Sequence, residues 1–263
     1  MLSGNHTGIP QIRTMKISII TVVYNNHHTI KTAIDCVLGQ HYQDIEYIII
    51  DGKSTDGTLD IIRSYGDAIS QVVSEADLGI YDAMNKGIAL CSGEVIGILN
   101  SDDVYAHANV LGEVMDLFAK DPSLSMVYGD LVYVKHHDLN KVVRKWTSES
   151  YYPAFFEDGH VPPHPSLFIK KAVYNRVGLF NVNMRLAADY EFMLRLFKLY
   201  DYKSLYINTI FVKMRLGGAT NASIKNIIQG NLEILRAWKI NNLKAPILLM
   251  PKRIVKRLIQ FAK

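Results

Sequence analysis

The sequence predicts an α/β fold built on a mostly parallel sheet. Three observations carry that expectation. Short apolar runs rich in β-branched residues, at 16–24, 45–50, 68–74 and 94–99, alternate with stretches whose apolar residues recur at helical spacing. Two of the runs end on carboxylates, at Asp51 and at Asp102-Asp103, and buried parallel strands carry their chemistry beyond their carboxyl ends. The composition, 49% hydrophobic and 21% charged over 263 residues, with no low-complexity tract or obvious repeat, is that of an ordinary globular chain.

In chain order, residues 16–24 (KISIITVVY) read as the first strand. Ile30, Ala33, Ile34, Val37 and Leu38 mark a helix over 27–40. Residues 45–50 form a second buried strand, and Thr55 or Asp56 is placed to cap a helix carrying Leu59, Ile61 and Ile62. A third strand at 68–74, a helix at 79–91 and the strand at 94–99 follow. A helix at 109–119 stops at Asp121-Pro122, and 125–134 alternates as a strand. Repeated strand–helix alternation implies βαβ units. Residues 135–164, with Pro153, Pro162 and Pro163, read as one long loop. Beyond it the pattern gives a short strand at 166–169, a helix at 189–199, a strand at 205–214 and helices at 224–238 and 251–262. The last of these carries Ile254, Val255, Leu258, Ile259 and Phe261 on one face and four cations on the other.

Bulk properties exclude several classes. The net charge of +4 is concentrated in 244–263, which holds six cations and no acid, leaving 23 basic and 25 acidic residues elsewhere. That placement argues against a nucleic-acid groove. Cys36 and Cys91, in helix-like apolar settings, read as buried reduced thiols, and no Cys/His spacing suits zinc. No apolar run reaches the roughly 18 residues of a membrane span. The first 14 residues lack the order of a signal peptide and read as a mobile leader, with Met15 an alternative start. The Asn-x-Ser/Thr matches at Asn5 and Asn221 carry little weight in a reducing compartment.

Two stretches carry the chemistry. Asp102 and Asp103 at a strand end would repel in a desolvated crevice unless a hard divalent cation lay nearby; a polar turn capping the next helix is the plainer reading. Asp51-Gly52-Lys53-Ser54-Thr55-Asp56-Gly57 follows a strand and opens a helix, which suits a nucleotide-contacting turn, with Asp51 accepting from base or ribose. It equally suits a well-capped turn, and it has neither Walker nor GxGxxG spacing.

Taken in order, Thr21-Val-Val-Tyr-Asn25, Asp51-Gly-Lys-Ser-Thr-Asp-Gly-Thr58, Gly79-Ile-Tyr-Asp-Ala-Met-Asn-Lys-Gly87 and Leu99-Asn-Ser-Asp-Asp103 resemble family-two glycosyltransferases of the GT-A fold. The nearest likeness is to bacterial members that build surface polysaccharides, and it spans roughly 15–200. The resemblance implies a single Rossmann-like nucleotide-binding domain with a mostly parallel central sheet and a smaller acceptor-side subregion. It divides 15–240 into a nucleotide half, 15–103, and an acceptor half, 104–240, with 241–263 as a basic amphipathic helix. It implies donor contacts at Thr21, Val23, Tyr24, Asn25, Asp51, Ser54, Asp77, Asp82, Lys86, Ser101 and Asp102, and Mg²⁺ or Mn²⁺ at Asp102 with Asp103 beside it. Asp189, in Ala187-Ala188-Asp189-Tyr190-Glu191, matches the general-base position, with an ordinary helix cap as the competing reading. The sequence departs from the family pattern at Asn100, in place of an acid, and at Met84, in place of an Arg; Lys86 could supply the missing charge or be a solvated helix residue.

Other residues are ambiguous. His164, in the stiff Pro162-Pro163-His164-Pro165, could meet phosphate, acceptor or metal, or serve structure. His160 and the His136-His137 pair sit in polar loop sequence, and Arg195 is expected to pair on a helix surface. The basic tail helix is expected either to lie on an anionic membrane or to pack with its cations in solvent. The resulting expectation is an inverting, metal-dependent transfer from a nucleotide-sugar, UDP by default, to a lipid-linked or growing saccharide, on the cytoplasmic side and peripheral at the plasma membrane. A degenerate, scaffold-like glycosyltransferase and a sugar nucleotidyltransferase are the rivals; the latter lacks its triphosphate loop near the first strand.

Overall fold

The computed structural model describes residues 15–217 and 223–260. The expected leader, Asn221 and Phe261 lie outside them. β1 (Ile17–Val23), β2 (Ile45–Asp51), β3 (Gln71–Ser74) and β4 (Val95–Ile98) run parallel in the order β3-β2-β1-β4. α1 (Ile30–Leu38), α2 (Thr58–Arg63) and α3 (Ile80–Leu90) supply the crossovers. Successive side chains of a strand point to opposite faces, so β1 feeds two cores. Ile20 and Val22 join one with α3, while Ile17, Ile19 and Val23 join the other with α1. With both faces covered, polar groups are left to the strand ends. The register pairs Val23 with Asp51 and Asp51 with Ser74, which brings three of those ends level.

The second half is mixed rather than parallel. It comprises β5 (Val104–Tyr105), α4 (Val110–Lys120), β6 (Met126–Lys135), β7 (Asp138–Trp146), β8 (Leu167–Lys170), α5 (Lys171–Val177), α6 (Ala188–Leu199), β9 (Ser204–Arg215), α7 (Ile224–Ile240) and α8 (Leu249–Ile259). The sheet continues β4-β8-β6-β9-β5, with β7 paired to β6. β8 is antiparallel to both its neighbours, and β6 and β9 are parallel.

Three expectations change here, at β7, Arg195 and α8. Part of the supposed 135–164 loop is β7, the second strand of a hairpin. Its outer position hides the alternation: Val142 and Val143 are exposed, and its buried residue is a cation, Arg144, set 3.6 Å over the Tyr133 ring. Arg195 is not a surface pair. It binds Glu191 at 2.8 Å and donates to the carbonyls of Val177 and Leu179, tying α6 to the chain after α5. Met84 is a core residue of α3. Finally, α8 is turned over. Ile254, Val255 and Leu258 are each more than half exposed, whereas Lys252 binds Asp158 at 2.8 Å and Arg253 lies 4.7 Å over the Tyr190 ring. Both cysteines are free, and burial pushes the Cys36 thiol up to about 11 and the Cys91 thiol to about 12. Among the described residues no helix is long and apolar enough to cross a membrane.

Gly97 shows how tightly β4 is packed. A Cβ there would come 2.8 Å from Cε1 of Phe168 and 3.0 Å from Cδ1 of Ile19. Phe168 is itself buried between Tyr105 and Phe211, so its ring has nowhere to swing. Gly97→Ala should therefore lower stability by about 1–3 kcal/mol, read from urea unfolding. Unchanged stability would show that the core absorbs a methyl group.

Candidate active site

The carboxyl ends of β1, β2, β3 and β4 meet along one edge, and their loops are tied to one another. Asp51 is buried at the end of β2, where its carboxylate accepts from the Ser74 hydroxyl at 2.6 Å and from the Ser54 amide at 3.1 Å. Asn25, at φ 48°, donates its amide to Ser54 Oγ and accepts the Thr55 amide on Oδ1, both at 2.8 Å. The Asn26 side chain donates to Ser101 Oγ at 2.9 Å, and Thr29 donates to the Ser101 carbonyl at 2.8 Å. These bonds link the first and second loops to the turn after β4.

Gly52 is the close-approach position. A Cβ on it would lie 2.5 Å from Oδ2 of Asp77 and 3.3 Å from the Tyr24 ring. Its missing side chain lets a carboxylate and a ring, 64% exposed at Tyr24, converge beside Asp51. Asp77 is fixed by the Gly79 amide at 2.8 Å. Lys86 binds Glu75 at 2.8 Å and Asp82 at 3.4 Å and donates to the Ala76 carbonyl, so Asp82 and Lys86 lace this loop to α3. Tyr24, Asn25, Asp51, Ser54, Asp77, Ser101 and Asp102 thus share one edge. Thr21 and Val23 lie beneath it, both buried, and the Thr21 hydroxyl accepts from Tyr47 at 3.1 Å.

Asp102 and Asp103 differ in setting. Asp103 is fully buried; Asn100 Nδ2 donates to its Oδ2 at 3.1 Å, while its Oδ1 is buried with no hydrogen-bond partner. Burial, then the neighbouring Asp102 charge, pushes Asp103 well above the ordinary carboxylate range. Burial also raises Asp102, with Arg215 and His136 nearby opposing the rise. Two adjacent carboxylates, one with an orphaned oxygen, fit a hard cation. Among the described residues no group of three or more His, Cys, Asp or Glu could hold a metal, so most ligands would come from phosphate oxygens and water, as is usual for Mg²⁺.

Asp189 sits in the first turn of α6. It accepts from the Tyr81 hydroxyl at 3.0 Å and from the Tyr190 amide at 2.8 Å, both on Oδ1. Oδ2 is left for another partner. The N-cap position of α6 is Ala187, which has no side-chain cap. Glu233 on α7 is buried and fixes the segment leading into the helix, accepting the amides of Arg185, Leu186 and Ala187 at 3.2, 2.8 and 2.9 Å. Tyr81 and Glu233 were not legible, because their partners lie 108 and 46 to 48 residues away. His164 is buried edge-on to Phe180, with ring centroids 5.4 Å apart. His160 binds Glu149 at 2.7 Å, and the His136 carbonyl accepts from Arg215.

Against known sequences, the profile of Glycosyl transferase family 2 matches residues 18–178. The chain belongs to glycosyl transferase family 2. A PGL/p-HBAD biosynthesis glycosyltransferase of Mycobacterium tuberculosis is 25% identical over 211 residues, covering 79% of this chain and 80% of the relative. An uncharacterised glycosyltransferase of Rickettsia prowazekii is 30% identical over 219 residues, covering 80% of this chain and 68% of the relative. The fold is GT-A. S. aureus TarS superimposes with a TM-score of 0.66 at 18% identity, covering 93% of this chain and 71% of that one. A mannosyltransferase from Pyrobaculum calidifontis, solved with GDP-Man and Mn²⁺, gives 0.60 at 17% identity, covering 92% and 74%. In this glycosyltransferase the family profile covers β1 through α5 and stops before Asp189.

Burial holds the His164 imidazole below its ordinary value, with the Asp189 charge working the other way. A group depressed in the fold contributes stability above its unfolded value, near 6.5 for His, and loses it as pH falls. Between about pH 7 and pH 5 the wild type should lose melting temperature faster than His164→Gln. Parallel curves would mean that His164 is protonated without cost.

Proposed function

We propose that this glycosyltransferase moves a sugar, with inversion, from a nucleotide-sugar to a hydroxyl of a lipid-linked or growing saccharide. One observation carries the reading: Asp189 is held through Oδ1 by Tyr81 and its own helix, so Oδ2 is oriented to take a proton. In the proposed step the acceptor oxygen forms its bond to the anomeric carbon as its proton passes to Asp189. The bond from that carbon to the diphosphate breaks, and its electron pair leaves with the nucleotide. A single displacement of this kind inverts the centre. Asp51 and Asp77 would bind base and ribose beside the Tyr24 ring, with residues 15–103 as the nucleotide half and 104–240 as the acceptor half. Mg²⁺ or Mn²⁺ at Asp102, with Asp103 beneath, would supply counter-charge for the departing diphosphate. UDP is the donor nucleotide of this reading, supported by the TarS fold, which has been solved with UDP and with UDP-GlcNAc. GDP is the alternative, from the Pyrobaculum enzyme.

Calorimetry with UDP, GDP and dTDP, each with and without Mn²⁺, tests the donor side. One nucleotide should bind in a metal-dependent way, and Asp102→Ala should abolish the metal dependence. Gly52→Ala, which pushes Asp77 aside, should weaken that nucleotide about tenfold. Asp189→Asn should keep nucleotide affinity while transfer falls about 10²- to 10⁴-fold. Folded protein that binds none of the three would favour the scaffold reading.

The same proposal places the enzyme on the inner face of the plasma membrane. Ile247 is 98% exposed, and Leu248, Ile254, Val255 and Leu258 continue its surface, with Ile224, Ile228 and Leu232 exposed on α7. Residues 234–263 hold eight cations and no acid, and those not turned inward on α8 complement an anionic leaflet. The protein should float with vesicles of phosphatidylcholine and phosphatidylglycerol. Ile254→Ser with Leu258→Ser should leave it in the soluble fraction, and flotation of that variant would rule out α8 as the contact.

A further inference from the structure

α8 turns Arg253 toward Tyr190 and Asp189, and one donor of its guanidinium has no hydrogen-bond partner. Lys252 is matched by Asp158. Arg253 is different: its guanidinium lies over the Tyr190 ring at 4.7 Å, and its Nη1 is buried with no hydrogen-bond partner. It is close enough to Asp189 for the two charges to act on each other. Arg257 and Lys256, one turn on, extend the positive field; Arg257 acts on Arg253, Arg144 and Tyr133, and Lys256 on His160. A buried cation with an open donor is costly unless an anion meets it.

We infer that the inner face of α8, with Arg253 at its centre and Arg257 beside it, is a subsite for the phosphate of a phosphate-linked lipid acceptor. This deepens the acceptor reading and rests on the assignment of Asp189 as base. Guanidinium groups suit phosphate because their planar donors bind two oxygens at once. Depth argues for the lipid-borne phosphate. The exposed apolar residues of α8 lie on the face away from Arg253, and a helix with its side chains is roughly 10 Å across. With the outer face in the acyl boundary, the inner face stands at headgroup level, where the phosphate joining lipid to sugar also lies. The sugar beyond that phosphate then reaches Asp189.

The test uses the full chain in EDTA and geranyl diphosphate, a soluble isoprenoid diphosphate, titrated by calorimetry with geraniol and inorganic pyrophosphate as controls. Geranyl diphosphate should bind and geraniol should not. In Arg253→Gln with Arg257→Gln its dissociation constant should rise about tenfold or more, while the Arg→Lys pair, which keeps the charge but loses the planar fork, should fall between that variant and the wild type. UDP binding with Mn²⁺ should stay as in the wild type, which also reports that the variant is folded, and so should flotation on phosphatidylglycerol vesicles. Unchanged binding in the Gln pair, or no binding by the wild type, overturns the inference. Parallel loss of UDP binding would assign the arginines to the donor, and loss confined to flotation would assign them to phospholipid headgroups; either also overturns it. Geranyl diphosphate binding without any nucleotide binding would sink the donor reading alone.

Discussion

The burial of β1, β2 and β4 on both faces is the constraint from which the rest of the molecule follows. A strand covered by helices on either side has no room for unpaired polar side chains along its length. Every residue of β1 is buried, and its Thr21 hydroxyl is spent inside the sheet on Tyr47. Polar groups therefore collect where the strands stop, and parallel strands stop together. The loops gathered there satisfy one another: Asp51 takes Ser74 and Ser54, Asn25 takes Thr55, and Asn26 and Thr29 hold Ser101. The result is a rim in which Gly52 leaves a gap that Asp77 and Tyr24 border most closely. Preorganisation of this kind lowers the ordering cost of binding a ligand.

The three key carboxylates show what placement does to one functional group. Asp103 is buried, next to a like charge and missing a partner on one oxygen, so its ionised form is disfavoured until positive charge arrives. Asp102 shares the rise, with Arg215 and His136 at hand to oppose it. Asp189 instead has one oxygen doubly bonded to donors and one left over. Sequence proximity made the first two easy to find. The third depends on Glu233, which gathers the three consecutive amides just before α6 and so fixes the angle at which the helix begins.

The first half of the chain was legible because its signals are local. Apolar runs of strand length, Gly-bearing turns and carboxylates at strand ends lie within a few residues of one another, and β1 to β4 came out within two or three residues of their expected bounds. The second half was not, because its signals are long-range or inverted. β7 buries an arginine and exposes its valines, which reverses the usual pattern of a strand. Arg195 looks like a surface residue from its spacing, yet it satisfies two carbonyls outside its helix. The Tyr81–Asp189 bond joins two motifs that nothing in the sequence connects.

α8 is the sharpest case of this inversion, and its energetics run in one direction. An amphipathic helix on a water-soluble body ordinarily turns its apolar face inward. Here Ile254, Val255, Leu258 and Ile259 share one exposed face of α8, which in water favours association with something apolar. Turning Arg253 inward adds a second cost, because it gives up hydration and gains the face of Tyr190 and the charge of Asp189 but no hydrogen bond on Nη1. Rotating the helix about its axis would remove both costs in the isolated protein. Lys252–Asp158 and the packing of Gly159 against the Lys252–Arg253 backbone hold it as it is. The proposed setting, a bilayer on one side of the helix and a lipid-borne phosphate on the other, offsets both costs in a single binding event, and it delivers the acceptor hydroxyl to the side of the sheet where Asp189 waits.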